Sequence, residues 1–182
     1  LPLVVVSTLG ADTAGHFYIA WLIIGMVNAV PVAVATSFLA EGSHGMWEIY
    51  SGARASLKSA FLLLTPGVLI LLLAGDKLLL VMGREYSDET VGVLRILAFS
   101  TFPLTINTIS LGIWKLEKRL DLIAALGMMV AGITLILTYA LTPHLGLPGV
   151  GWAWLSAQGA GAIVFAPLVW RAQKIPNSPG IG

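Results

Sequence analysis

Charge is scarce in this sequence, and cysteine is absent. Only 10% of the 182 residues are charged, against about a quarter in an ordinary soluble domain. The net charge is +1 and the basic residues are scattered, which argues against a nucleic-acid partner, since such a protein shows a basic stripe. The lack of cysteine excludes disulfides, thiolate nucleophiles and thiolate metal sites.

The sequence also lacks catalytic and metal-binding patterns. His16, His44 and His144 are predicted to lie in separate loops, without the spacing of a zinc site. Neither a phosphate-cradling glycine-rich loop nor a nucleophile elbow occurs. We therefore expect a protein that is not an enzyme, with no catalytic residues, no cofactor and no metal.

Hydrophobic residues, in contrast, make up 57% of the chain, and the mean hydropathy is +0.90. A soluble fold of this size would leave large apolar patches exposed. A transmembrane helix needs about 20 mostly apolar residues, and five stretches are predicted to span a membrane. They are Phe17–Ala40, Ser59–Gly75, Val93–Trp114, Leu122–Thr142 and Gly149–Trp170.

The predicted fold is all-α, a polytopic transmembrane helical bundle of about five full spans plus the end of a sixth. The run Leu1–Leu9 is too short to span and is interpreted as the end of a helix that starts earlier. On this interpretation the sequence is a piece of a longer chain. We expect residues 1–174 to form the bundle and residues 175–182 to form a cytoplasmic tail.

Charged residues favour one orientation of the spans. All acidic residues lie outside the predicted spans, as a hydrocarbon core requires. One side carries seven basic residues, against three on the other, so the positive-inside rule places that side and the C-terminus in the cytoplasm. Trp114 and Trp170 are predicted at the inner interface of the cell membrane. The seven basic residues are Arg54, Lys58, Lys115, Lys118, Arg119, Arg171 and Lys174.

Two segments are predicted to be neither span nor simple loop. Glu41–Ser56 mixes apolar and polar side chains, and we interpret it as a short helix on the inner membrane surface. Leu78–Met82 is an apolar pentad that either extends the second span or lies in the outer interface. We favour the interface, because extension would draw Asp76 and Lys77 into the hydrocarbon core.

Small residues and prolines recur within the spans. Faces of small residues let membrane helices pack closely, or slide during a conformational change. Pro31, Pro66, Pro103 and Pro167 each fall within a span, which is typical of bent transporter helices and of membrane helices in general. The small residues spaced four apart are Gly149, Ala153, Ala157 and Gly161 in span five, and Gly127 and Ala131 in span four.

The third span is the most polar. Polar side chains rarely face lipid, so its polar residues are predicted either to line a hydrophilic cavity or to bond other helices. With about 100° between successive residues, they form two stripes: Ser100, Pro103, Asn107 and Ser110, and then Thr101, Thr105 and Thr108.

Four residues are candidates for a substrate cavity. They are Arg95, Ser100 and Asn107 in the third span and Asn28 in the first. The planar guanidinium of Arg95 could pair with phosphate near the outer end of its span, or could reach the outer interface. Asn28 and Gln158 are similar cases, with interhelical hydrogen bonding as the alternative.

Three segments resemble one transporter family in their order and spacing. LPLVVVSTLGADTAGHFYIAWLI is similar to a helix end, a Leu-Gly turn and the start of the next helix. LLLVMGREYSDETVGVLRILAFSTFPLTIN resembles an outer loop and the following helix, and LTPHLGLPGVGWAWLSAQ resembles the last hairpin. The best-matching positions are Gly15, Phe17, Tyr18, Gly83, Tyr86, Val93, Leu94, Arg95, Ile96, Leu97, Ser156 and Gln158. The family is the polysaccharide biosynthesis and O-antigen flippases of the multidrug/oligosaccharidyl-lipid/polysaccharide exporter superfamily.

The resemblance implies the C-terminal half of a two-bundle transporter that works by alternating access. Its partners would be membrane lipid, the N-terminal helical bundle of the same protein, and a polyprenyl-pyrophosphate-linked oligosaccharide exported for lipopolysaccharide or other surface polysaccharide synthesis. The alternative is a cation-coupled multidrug exporter of the same superfamily, although the intramembrane carboxylate usual in such exporters is absent from these spans. An integral membrane ligase or polymerase would need a longer outer loop.

Overall fold

The computed structural model describes residues 2–41, 46–82 and 88–172, and these ranges form six helices. No strand occurs in them, so the all-α prediction is confirmed. The helices are α1 (Pro2–Leu9), α2 (Ala11–Glu41), α3 (Met46–Met82), α4 (Asp88–Leu116), α5 (Leu120–Leu145) and α6 (Leu147–Ala172).

Four of these helices are long and apolar enough to cross a membrane. They contain four of the five predicted spans, which supports the prediction of a membrane protein. The counterpart of the fifth predicted span is α6, a helix of 26 residues. The total number of spans stays a prediction. The four segments are Ala11–Ala40, Gly52–Leu80, Thr90–Leu116 and Leu120–Leu145.

Two buried clusters mark the two ends of the bundle. The first joins the N-terminal halves of α2, α4 and α6 to the C-terminal half of α3. The second joins the opposite halves of those helices to the N-terminal part of α5. Representative members are Phe17, Leu79, Leu94 and Val150 in the first cluster, and Phe38, Ala53, Leu126 and Phe165 in the second.

Consecutive helices from α2 to α6 therefore run antiparallel. Arg54, Lys58 and Lys115 are exposed and lie at the end of the bundle that holds the second cluster, as the loop pattern predicts. The side of the membrane that this end faces stays a prediction, and so does the boundary of the tail, because residues 173–182 lie outside the described ranges.

Helix α4 is central and packs against α2, α3 and α6. Phe38 of α2 illustrates how these helices meet, because a Cβ atom at Gly52 of α3 or at Gly112 of α4 would each lie 3.3 Å from its ring. The two glycines thus make room for one aromatic ring between three helices. This central position explains why the most polar span tolerates its hydroxyls, since protein rather than lipid surrounds most of them.

The structure corrects the predictions for two segments. Helix α3 is continuous from Met46, so the described part of Glu41–Ser56 after the gap at residues 42–45 begins the span helix and is not a separate surface helix. Leu78 and Leu80 continue the same helix, because Leu79 between them is buried in the first cluster. The pentad therefore extends the helix of the second span, and its position in the outer interface stays a prediction.

Three ring-bearing residues also differ from expectation. Trp114 is predicted at the membrane interface, but its ring is buried and meets Phe165 edge-on, with centroids 5.4 Å apart. His16 lies in α2, which begins directly after Gly10 with its φ of +89°, and His144 lies in the last turn of α5. Neither histidine is a loop residue, while His44 and the Trp170 side chain lie outside the described residues.

Candidate binding groove

A groove of about 560 Å³ lies between α2, α4, α5 and α6, and we call it the α2–α5 groove. Helix α6 packs extensively on both α4 and α5, whereas α4 and α5 contact each other much less, which leaves this space. Its lining residues are Asn28, Val32, Leu104, Asn107, Thr108, Leu111, Ile123, Leu126, Gly127, Val130, Ala131, Trp154 and Gln158.

A closely packed face of α6 supports the groove, and we call this face the α6 seam. Its members are Gly149, Ala153, Ala157 and Gly161, all buried, as their spacing predicts. A Cβ atom at Gly149 would lie 2.9 Å from the backbone carbonyl of Leu141, and one at Gly161 would lie 2.8 Å from Nδ2 of Asn107. At Gly149 the near atoms are backbone, so that position requires glycine, whereas at Gly161 they are side-chain ends. This close approach is what holds membrane helices together.

Asn107 and Gln158 connect α4 to α6 at the base of the groove. Nδ2 of Asn107 donates to the backbone carbonyl oxygen of Gln158 at 3.0 Å and to its Oε1 at 2.8 Å. Since a backbone carbonyl can only accept, the direction of the Asn107 amide is fixed. Its Oδ1 is consequently turned away from Gln158.

Two amide oxygens of the groove residues have unused hydrogen-bonding capacity. Oδ1 of Asn107 and Oδ1 of Asn28 are both buried without a hydrogen-bond partner among the described residues. Leaving such an acceptor unpaired in an apolar setting costs roughly 1–3 kcal/mol. Both oxygens are shielded from the groove, and Oδ1 of Asn107 lies against α6, where a Cβ atom at Gly161 would come 3.2 Å from it.

The groove lining is uncharged. Its walls are mostly aliphatic, and Trp154 adds an aromatic surface that is fixed by an edge-on contact with Trp21, with ring centroids 5.3 Å apart. The other polar group is Thr108, whose hydroxyl donates to the carbonyl of Leu104 at 2.8 Å. Such a lining suits an amphiphile with an uncharged polar part.

The structure brings two of the four predicted cavity residues together in the groove, Asn28 and Asn107. Arg95 is exposed and lies outside the lining, because twelve residues of helix separate it from Asn107, a rise of roughly 18 Å. Ser100 is fully buried and donates to the carbonyl of Leu97 at 2.6 Å. Arg95 and Ser100 thus lie outside this lining, and their place in a substrate cavity stays a prediction.

Most hydroxyls of the two α4 stripes bond their own helix. Thr105 donates to the carbonyl of Thr101 at 2.7 Å, and Ser110 donates to that of Ile106 at 2.9 Å. Within the part of α4 that the structure describes, Asn107 alone among the stripe residues has a hydrogen bond to another helix. Threonine and serine can reach the carbonyl one turn back, whereas the asparagine side chain has a second polar atom left for a neighbour.

The spacing of small residues in α5 has a different outcome from the spacing in α6. Gly127 and Ala131 are exposed residues of the groove lining, and a Cβ atom at Gly127 would meet nothing within 4 Å. This pair therefore widens the groove instead of packing closely on another helix. Trp154 is a lining residue that the sequence analysis did not identify, although it precedes Gln158 by one helical turn and so shares its face.

No group of three histidine, cysteine or acidic side chains that could hold a metal ion occurs among the described residues.

A comparison with known proteins found no matching family model, no matching curated protein and no matching solved structure.

Proposed function

We propose that this chain is one helical bundle of a flippase that moves polyprenyl-pyrophosphate-linked oligosaccharides across the cell membrane by alternating access. The observation that carries the proposal is the α2–α5 groove, whose aliphatic walls surround uncharged polar groups. A polyprenyl-linked sugar has the same two chemistries, an apolar chain and a polyhydroxylated head. The family resemblance of the sequence supports the same assignment.

In this proposal the end of the bundle that carries Arg54, Lys58 and Lys115 faces the cytoplasm, because cytoplasmic segments carry the excess of basic residues. Arg95 then lies toward the outer surface and is a separate candidate partner for the pyrophosphate. A second helical bundle from the same protein completes the translocation pathway.

The test is complementation with the whole gene that encodes this sequence. The gene should restore surface polysaccharide in a strain that lacks its own flippase, and Ala131→Trp should abolish the rescue by filling the groove. The matched control is Ile136→Trp on an exposed face of the same helix, which should retain the rescue. Absence of rescue by the well-expressed wild-type protein would contradict the proposal.

A drug-resistance assay of the same strains distinguishes the cation-coupled exporter. Flippase activity predicts rescue of polysaccharide without a gain of drug resistance. Drug resistance without polysaccharide would favour the exporter instead.

A further inference from the structure

We propose that six exposed residues form a belt around α2 to α6 that binds the headgroup layer of a bilayer, and that the helical ends beyond this belt stand outside the hydrocarbon. We call this set of residues the headgroup belt. The proposal goes beyond the proposed function and does not depend on it. The members are Tyr18 of α2, Asp76 and Lys77 of α3, Arg95 of α4, Tyr139 of α5 and Trp152 of α6.

The first step is the level of the belt in α3, α4 and α6. A Cβ atom at Gly75 of α3 would lie 3.3 Å from Cδ2 of Leu94 in α4, so the charged pair that follows Gly75 is level with Arg95. A Cβ atom at Gly151 of α6 would lie 3.0 Å from Cγ2 of Val93, so the tryptophan that follows Gly151 lies at the same level. Three helices therefore bring their belt residues to one depth.

Two further contacts place α5 and α2 at this level. A Cβ atom at Gly149 of α6 would lie 2.9 Å from the backbone of Leu141, and the belt residues of these two antiparallel helices lie two or three positions farther into the bundle. The rings of Trp21 and Trp154 have centroids 5.3 Å apart, and Tyr18 precedes Trp21 by less than one helical turn. All five long helices thus contribute to one belt.

The second step is the distance from the belt to the basic end of the bundle. From Arg95 to Lys115, and from Arg119 to Tyr139, the rise along the helix is roughly 30 Å. From Lys58 to the charged pair of α3 it is roughly 27 Å. The hydrocarbon layer of a bilayer is about 30 Å thick, so it fits between these two edges.

The third step is where apolar side chains are exposed. Among the large hydrophobic residues that the structure describes, the seven most exposed ones are 69% to 78% accessible. Six of them lie between the belt and the basic residues, and Leu120 lies beside Arg119 at the basic edge. Beyond the belt, the described parts of α2 to α6 expose only Leu78, Leu80 and Leu145, at 39% to 57%. The seven are Met26, Leu62, Leu73, Leu120, Met128, Ile136 and Ile163.

The fourth step is the chemistry of the belt. Tyr18, Tyr139 and Trp152 are 50%, 58% and 47% exposed, so protein contacts leave about half of each side chain free. Tyrosine and tryptophan prefer the membrane interface, where the ring meets the acyl chains and the O–H or N–H meets the headgroups. Lys77 and Arg95 are exposed at the same level and can pair with lipid phosphate. The partner that fits this surface is therefore the phospholipid headgroup layer.

This assignment differs from what hydropathy alone gives. The apolar segments of α3 and α5 continue to Leu80 and Leu145, which would place both residues within the spans. The belt places Leu80 roughly 5 Å and Leu145 roughly 9 Å outside the hydrocarbon edge. The positions of these two leucines therefore decide between the two accounts.

The test measures the depth of spin labels in the protein reconstituted in phosphatidylcholine vesicles, and the absence of native cysteine from this chain allows single-cysteine variants. Two pairs of exposed positions are compared, Ile70→Cys with Leu80→Cys on α3, and Leu135→Cys with Leu145→Cys on α5. Collisions with oxygen report the hydrocarbon, and collisions with a water-soluble nickel chelate report the headgroup layer and water. We expect oxygen to dominate at Ile70→Cys and Leu135→Cys, and the nickel chelate to dominate at Leu80→Cys and Leu145→Cys.

A second set of variants tests whether the aromatic side chains bind the headgroups. Tyr139→Leu combined with Trp152→Leu should move the label at Leu145→Cys toward the hydrocarbon by roughly 3 Å, because a small displacement of a helix in a bilayer costs little. The exchanged pair, Tyr139→Trp with Trp152→Tyr, should keep the original depth. Phe99→Leu is the matched control, since this exposed ring lies on the hydrocarbon side of the belt and has no polar atom. A melting temperature for each variant shows that the bundle remains folded.

Two results would overturn the proposal. One is a label at Leu80→Cys or Leu145→Cys that collides mainly with oxygen, as hydropathy alone predicts. The other is an unchanged depth in the folded double-leucine variant, which would show that the aromatic residues do not hold the protein at the headgroup layer.

Discussion

The α6 seam and the α5 wall of the α2–α5 groove share a spacing of small residues, yet the seam is closed and the groove is open. The small residues spaced four apart are Gly149, Ala153, Ala157 and Gly161 in the seam, and Gly127 and Ala131 in the groove. At the two seam glycines a Cβ atom would come within 2.9 Å of a neighbouring helix, and at Gly127 it would meet nothing within 4 Å. Small residues therefore permit close approach without enforcing it, and the neighbouring side chains decide the outcome.

The difference comes from what faces each glycine. In the seam, the backbone of Leu141 and the side chains of Asn107 and Leu126 approach α6 directly. In the groove, α4 and α5 pack mainly on α6 and little on each other. The comparison teaches that one helix, α6, fixes the distance between its two neighbours and so sets the width of the groove.

The largest expected effect breaks the seam. Gly149→Ala should lower the free energy of unfolding by about 1–3 kcal/mol, because its Cβ would clash with the Leu141 backbone, which cannot move without displacing α5. Gly127→Ala, the matched control, should leave stability unchanged or raise it by up to about 1 kcal/mol, because alanine restricts the unfolded chain more than glycine. Denaturation in mixed micelles with increasing dodecyl sulfate measures both, and equal losses in the two variants would contradict the comparison.

A smaller effect is expected at the hydrogen bond between the seam and the groove. Asn107→Leu should cost about 1 kcal/mol of unfolding free energy, since it removes both bonds to Gln158. Gln158→Leu should cost less, because Asn107 keeps its bond to the backbone carbonyl at this position. A double-mutant cycle in the same denaturation assay measures the side-chain coupling, and a coupling free energy of zero would show that the Oε1 contact contributes nothing.

The smallest change in stability is expected in the turn between α4 and α5. Lys118 has a φ of +57°, and the bonds from Arg119 N to Trp114 O at 2.8 Å and from Lys118 N to Lys115 O at 3.2 Å form a helix-ending motif in which glycine is preferred. Lys118→Gly should therefore stabilise the bundle by up to about 1 kcal/mol. Lys115→Gly removes the same charge from a helical position and should destabilise by about 1 kcal/mol, so melting temperatures that shift in the same direction would contradict this account.

The helices themselves could be predicted from the sequence, because apolar runs of bilayer length have few alternatives. The ends of the helices could not, since Leu79 is buried against other helices and Trp114 packs within a cluster that includes Phe165. These contacts join residues distant in the chain. Hydropathy along one segment contains no information about them.

The candidate site could be predicted in part. Asn28 and Asn107 stood out as polar residues within apolar spans, and both line the groove. Arg95 shares the same span as Asn107 but lies near the start of α4. Ser100 satisfies its hydroxyl within its own helix. The polar residues could be found from the sequence by their type. Which of them line the same groove depends on how α6 packs on its neighbours, and the sequence does not show this.

The most direct test of the central claim, an open groove beside a closed seam, uses the absence of native cysteine. Two variants are compared, each with one introduced cysteine: Ala131→Cys in the groove and Ala157→Cys in the seam. Alkylation by N-ethylmaleimide is measured in the folded protein in nanodiscs. The account predicts rapid alkylation of the cysteine from Ala131→Cys, slowed by alkyl glucoside, and alkylation of the cysteine from Ala157→Cys only after denaturation. Equal alkylation of both cysteines in the folded protein, or of neither, would contradict it.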